Sequence, residues 1–257
     1  MKEFDRLVEV IAKLRDKENG CPWDLKQTHE SLIPNFIEEL YETIEAIESQ
    51  NYDHLSEELG DLLLHIVMQV QIAEESERFK MNDVLSKIND KLIRRHPHIF
   101  GDGHAVDANG VKMNWERIKM KEKELSRTSA VDGIPRKMPA LIVAQRMQEK
   151  AASVGFDWPE VSPAVAKLEE EVYEFKEAFE NKDIEEMQNE LGDLLFSIVN
   201  IARKSGFDTE SALKRTINKF EKRFKKVEDY YQKSDETMLD ASLEQLDEIW
   251  EITKKSE

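Results

Sequence analysis

The stretch NFIEELYETIEAIESQNYDHLSEELGDLLLHIVMQVQIA, beginning at Asn35, returns as AKLEEEVYEFKEAFENKDIEEMQNELGDLLFSIVNIAR, beginning at Ala166. Glu42 and Glu58 are 16 residues apart, and so are Glu174 and Glu190. The echoes continue downstream: KLIRR at 91–95 with KFEKR at 219–223, and NWERIK at 114–119 with IWEITK at 249–254. Acidic helices resemble one another by chance, but shared spacing, a repeated ELGDLL and two later echoes together mark an internal duplication. Whatever one copy folds into, the chain must contain twice.

The pattern inside the copy is helical. Phe36, Ile37, Leu40, Tyr41, Ile44 and Ile47 form the stripe of an amphipathic helix. Residues 55–75 are apolar on most sides, which predicts a helix buried on most of its faces. Further helices are expected at 82–95, 110–126, 139–152, 163–180, 184–204, 208–231 and 242–254, and no strand alternation appears. With only 9 Gly and 7 Pro, the breaks are few. RRHPHIFGDGHAVD at 94–107 reads as a loop and TSAVDGIPRKMP at 128–139 as a linker. The expected fold is all-α, with two tandem helical-bundle domains at 1–128 and 129–257.

Each copy carries four carboxylates. Glu39 and Glu42 are three apart on one helix, Glu58 and Asp61 on the next; Glu171, Glu174, Glu190 and Asp193 repeat them. A pair three apart projects in neighbouring directions. Taken alone, the first pair reads best as a solvated helix face. Asp61 and Asp193 differ, because LGDLLLHIV and LGDLLFSIV surround them with apolar residues. An unpaired buried carboxylate costs several kcal/mol or stays protonated. Either a structural ion pair or a metal compensates it. Clustered carboxylates offer hard oxygen ligands, which suit Mg²⁺ or Mn²⁺. Gly60 and Gly192 precede the two Asp residues, and a helical Gly costs about 1 kcal/mol against Ala. Their recurrence predicts close helix approach at that level.

Cations and aromatics recur beside the carboxylates. Lys91 and Arg95, and likewise Lys219 and Arg223, lie four apart on one helix face. A solvated basic face is the default reading; in a chain of net charge −17 a duplicated pair also suits a phosphate clamp. Trp115 and Trp250 either stack on a base or pack the core, and residue type alone favours packing. His65 has Ser197 as its counterpart. No Glu-x-x-His pair is repeated, as an oxygen-activating di-iron bundle would require. Cys21 has no recurring Cys or His partner and reads as an ordinary turn or buried residue. There is no P-loop and no repeated Ser-His-Asp set.

The acidic balance disfavours a general nucleic-acid or membrane-surface binder, which needs a positive field. A single cysteine fits a reducing compartment. No signal-like segment or membrane-length apolar run is present. A soluble cytoplasmic protein, bound to neither membrane nor nucleic-acid polymer, is expected.

The motif Glu-Glu-x-x-Glu followed by Glu-x-x-Asp resembles that of the MazG nucleoside triphosphate pyrophosphohydrolases, of the all-α NTP pyrophosphatase superfamily. It reads Glu38-Glu39-x-x-Glu42 with Glu58-x-x-Asp61, and Glu170-Glu171-x-x-Glu174 with Glu190-x-x-Asp193. Similarity to the two-domain bacterial type covers nearly the whole chain, including NGCPWD, RRHPH at 94–98, VGFDW at 154–158 and the last helix with Trp250. The resemblance implies Mg²⁺-dependent hydrolysis of (deoxy)nucleoside triphosphates to monophosphate and pyrophosphate by a homodimer. It implies metal binding by Glu171, Glu174, Glu190 and Asp193, and by Glu39, Glu42, Glu58 and Asp61. It places Lys167, Glu170, Lys219, Arg223 and Trp250 around the substrate, with Lys91, Arg95 and Trp115 in the first copy.

The copies are not equivalent. Lys167 lies one turn before Glu171, whereas Asn35 stands before Glu39. The extra cation makes the second copy the expected catalytic centre. A competing reading is a non-enzymatic regulatory module that binds nucleotide or a partner without turnover.

Overall fold

A computed structural model describes residues 2–102, 107–122, 128–234 and 237–255. Among them there are helices and no strands: α1 (Lys2–Leu14), α2 (Ile33–Glu48), α3 (Tyr52–Glu75), α4 (Met81–Arg95), α5 (Pro97–Phe100), α6 (Ala108–Glu122), α7 (Ala140–Ser153), α8 (Ser162–Asn181), α9 (Ile184–Ser205), α10 (Thr209–Lys233) and α11 (Leu243–Lys255). The all-α expectation is met. The end of the helix expected over 110–126 lies outside the described residues after 122. No described helix is long and apolar enough to cross a membrane.

The duplication is visible in the turns as well as the helices. Asn51 caps α3 through its side chain, accepting from the His54 N–H, and Asp183 caps α9 by accepting from the Glu186 N–H. Such caps satisfy a donor that the helix start leaves unpaired. The residues just before them, Gln50 and Lys182, both sit at φ 56°, so the two hairpins turn in the same way. The α9 helix ends on Gly206, at φ 83°, a conformation that glycine adopts without steric penalty.

Packing divides the chain into two compact units, Met1–Val106 and Asp107–Glu257. In the first, α2 and α1 both pack on α3. Ile11, Leu32, Val67, Met68 and Ile72 form its buried cluster, with Phe4, Leu7 and Leu63 against it. Helix α1 was not among the expected elements, although Phe4, Leu7, Val8 and Ile11 carry the helical spacing that buries it. In the second unit α8 and α7 pack on α9, α10 on α7 and α9, and α11 on α10. Helix α6 packs on α7 and so belongs with the second unit. The division at 128 and 129 follows the sequence repeat, in which NWERIK belongs to the first copy; the packing boundary falls earlier.

Candidate active site

Each helical hairpin brings three of its four expected carboxylates together, leaving Asp193 outside the group in the second copy and Glu42 outside it in the first. In the second unit Glu171 and Glu174 on α8 meet Glu190 on α9, each offering an oxygen within 4.8 Å of the others. Glu171 is buried, while Glu174 and Glu190 are half-buried. Burial raises the pKa of Glu190, and the charges of Glu174, Glu186 and Glu171 push it further. Burial likewise raises Glu174, which Lys167 partly relieves. The Oε2 atom of Glu190 is buried without a hydrogen-bond partner. Three carboxylates that repel each other around an unpaired oxygen fit a hard divalent cation.

The first copy gathers a different trio, in which Asp61, the counterpart of Asp193, stands in place of Glu42, the counterpart of Glu174. Glu39, Glu58 and Asp61 offer oxygens within 4.8 Å of one another. Glu42 stays exposed outside the trio, though its charge helps raise Glu39, after burial and Asp61. Imidazoles are the neighbours here: His54 Nε2 lies 2.9 Å from Glu58 Oε1, and the buried His65 Nε2 lies 4.0 Å from Glu39 Oε1. The Glu58 Oε2 atom is buried and unpartnered.

Two expectations are corrected. Asp61 and Asp193 are exposed, and the buried carboxylates are Glu58 and Glu171. Apolar neighbours do not imply burial here, because Leu59, Ile66, Leu191 and Leu195 are themselves exposed. Gly60 and Gly192 do not mark a close approach, since a Cβ at either would meet nothing within 4 Å.

A cavity of about 510 Å³ adjoins the second trio. Lys167, Glu171 and Asp193 line it together with Gln148, Phe156, Trp158, Ser197, Asn200 and Arg203. Lys167 bridges Glu170 and Glu171, its Nζ 2.7 and 2.8 Å from their Oε1 atoms. Sequence reasoning missed Gln148, Asn200 and Arg203. A signal existed for the last two: Asp193, Ser197, Asn200 and Arg203 follow at helical spacing along one face of α9. In the register of ELGDLL, Asn200 corresponds to Met68, which is buried in the first unit's core.

The remaining expected residues lie elsewhere. Lys219, Arg223 and Trp250 are not part of that lining. Lys219 is exposed on α10, while Arg223 lies 6.0 Å from the Trp250 ring centre, and Phe220 packs on the same ring at 5.1 Å. Half-buried Lys91 and buried Arg95 lie on α4, which packs along α3. Trp115 lines a separate cavity of about 370 Å³ in the second unit, with Lys119, Arg146 and Lys150.

The MazG nucleotide pyrophosphohydrolase domain matches this sequence twice, over residues 27–100 and 161–228. The chain belongs to the MazG family. The two MazG matches take in both carboxylate trios, so the doubled motif is a doubled domain. The chain is 48% identical over 251 residues to the nucleoside triphosphate pyrophosphohydrolase/pyrophosphatase MazG of Thermotoga maritima, covering 98% of this chain and 95% of that one. It is 43% identical over 262 residues to the nucleoside triphosphate pyrophosphohydrolase of Escherichia coli K12, covering 100% and 99%. This MazG protein is an enzyme of a hydrolase family.

Proposed function

We propose that the second unit hydrolyses (deoxy)nucleoside triphosphates to nucleoside monophosphate and pyrophosphate, with Mg²⁺ or Mn²⁺ held by Glu171, Glu174 and Glu190 and approached by Asp193. The observation that carries this reading is a carboxylate trio whose buried member, Glu171, lines a chamber together with Lys167 and Asp193. The relatives' names supply the reaction class. The orphaned Glu190 oxygen and the raised carboxyls supply the fit to a cation. When bound, the ion would polarise the phosphate and make water more acidic.

The chain's own groups do the rest. A carboxylate of the trio orients a water and takes its proton. The water oxygen bonds to the α-phosphorus as the bridging bond to the β-phosphate breaks, and pyrophosphate leaves. Lys167, which lines the chamber beside Glu171, would neutralise the phosphates. Lys219 and Arg223, from α10 beside α9, are assigned to further phosphate oxygens, and Trp250 to the nucleotide. In the first copy Met68 fills the place of Asn200 and imidazoles replace the ammonium, which favours the second copy as the catalytic centre.

Exposed Tyr173, Phe179, Leu191, Leu195 and Ile198 on α8 and α9 support a homodimer that covers them. Light scattering tests this, and a monomer across micromolar concentrations would refute it. The activity is tested by chromatography of canonical and modified nucleotides incubated with Mg²⁺. Monophosphate and pyrophosphate are expected. Diphosphate and orthophosphate would overturn the site of attack. Binding without product would favour the regulatory module.

A further inference from the structure

The cavity of about 370 Å³ that Trp115 lines is built outside both matched domain stretches. Its lining residues run from Trp115 to Lys150, whereas the matches end at 100 and resume at 161. Trp115 and Lys119 are four apart on α6, Arg146 and Lys150 four apart on α7, and the two helices pack together. Residues four apart share a helix face, so each helix turns one such pair to the cavity. Ile134, Pro135 and Met138, from the segment that joins the helices, complete the wall.

The lining is cationic in a chain of net charge −17. Lys119, Arg146 and Lys150 face one carboxylate, Glu149, for a formal sum of +2. Lys150 is only 7% exposed, and its Nζ donates to the Ala130 carbonyl at 3.3 Å. Arg146 Nη1 donates to Glu149 Oε2 at 2.7 Å, and no other group among the described residues accepts from this guanidinium. Its Nε and Nη2 therefore keep two parallel donors, the fork that grips two oxygens of one phosphate. A phosphate group carries about −1.5 to −2 at pH 7, which matches the charge of the lining.

This cavity is separate from the large chamber. Met147, Gln148 and Ala151 line the chamber, while Arg146, Glu149 and Lys150 line the cavity, and at 3.6 residues per turn the two sets fall on opposite sides of α7. The carboxylate trios take no part in its lining. We propose that the cavity is a second ligand site, which binds a phosphate-bearing molecule without a metal. Arg146, Lys119 and Lys150 donate to the phosphate oxygens. Trp115 and the apolar segment cover whatever the phosphate is joined to.

Isothermal titration of the full-length protein with chelator present tests this, using inorganic phosphate and AMP as separate probes. The wild type is expected to bind at least one of them, once per chain. Arg146→Gln should weaken that binding by roughly tenfold or more, as loss of a charge-assisted pair does. Arg146 is 60% exposed, so this variant does not disturb a packed core. Lys119→Gln, on the other helix, should weaken binding in the same direction. Lys167→Gln, beside the carboxylates, should leave it unchanged. AMP bound more tightly than phosphate marks the ligand as an organic phosphate, and equal binding marks it as the free anion; either supports the site if Arg146→Gln weakens it. Absence of binding by the wild type at millimolar probe overturns the proposal. So does binding that falls in Lys167→Gln and persists in Arg146→Gln, because it then belongs to the chamber. An equal fall in all three variants overturns it too, since a loss of net positive charge is all that they share.

Discussion

Lys167 and Glu171 are joined across one helical turn, with the ammonium 2.8 Å from a carboxylate that is itself buried. Hydrogen bonds to Glu170 and then Glu171 hold the lysine above its ordinary pKa, against the opposing effect of burial. A permanent positive charge therefore stands at the edge of the second trio, 37% exposed. Asn35 holds that place in the first copy, and the histidines beside Glu39 and Glu58 carry charge only when protonated.

This asymmetry predicts unequal mutants. Glu174→Gln removes a member of the second trio and is expected to lower pyrophosphate release by on the order of 10²-fold or more, as loss of transition-state charge stabilisation does. Glu42→Gln removes an exposed carboxylate outside the first trio and should leave the rate within about twofold. Steady-state assays of both variants decide the matter, and the reverse pattern would move catalysis to the first copy.

Glu190 links the site to stability. Its pKa is raised in the folded protein, so folding disfavours its ionised form. Such a group imposes no cost below the unfolded value and its full cost above the folded one. Glu190→Gln is expected to raise the Tm of the metal-free protein at about pH 7, with the gain vanishing toward about pH 4. Added Mg²⁺ should stabilise the wild type more than the variant, because an ion bound only by the folded state adds stability by mass action. Thermal melts across that range, with chelator and with Mg²⁺, make the test; a variant less stable than wild type without metal would contradict it.

How far the sequence could be read shows in these same residues. Glu171, Glu174 and Glu190 were legible from spacing, since helical geometry alone brings i and i+3 carboxylates together and the repeat fixes the partner helix. The burial of their neighbours was not legible. Asp193 has the more apolar surroundings, yet Glu171 is the buried one, because the apolar flank of α9 is left uncovered within one chain. The VGFDW segment was recognisable as a string, but nothing local says that Asp157 reaches Arg203, 46 residues on. The fold class needed only the period of the apolar residues, whereas the chamber depends on contacts far apart in the chain.

That Asp157–Arg203 clamp carries its own prediction. Burial opposes ionisation of Asp157, but the hydrogen bonds and charges of Arg203 and Lys204 hold it below the ordinary carboxylate range. Lys204 also donates to the Trp158 carbonyl at 2.5 Å. Both basic side chains are nearly covered, at 11% and 7% exposure. Asp157→Asn keeps the shape and removes the charge, and it is expected to cost about 2 kcal/mol. KM for nucleotide should rise several-fold, because the loop bearing Phe156 and Trp158 loses its tie to α9. Denaturant titration and steady-state kinetics on one preparation test it. A stability loss with KM unchanged would detach the loop from the substrate site.

In the first unit Arg15 plays the corresponding part between α1 and α3. Its Nε and Nη2 each lie 2.7 Å from a carboxylate oxygen of Glu75, and Nη1 donates to the carbonyls of Asp24 and Gln27. The guanidinium hydrogen bond holds Glu75 below its ordinary pKa, with burial opposing. The sign is therefore opposite to that of Glu190: the stabilisation is complete above the unfolded pKa and is lost as pH falls through the folded value. Arg15→Met leaves Glu75 and two carbonyls without their partner and is expected to cost about 3 kcal/mol near neutral pH, less in acid. The second unit has its own core and its own carboxylates, so pyrophosphate release should persist in the variant at temperatures below its first transition. Scanning calorimetry should show one transition moving and another staying. A single transition that moves as a whole would mean that the two units unfold together, and the duplication would then be one cooperative structure rather than two.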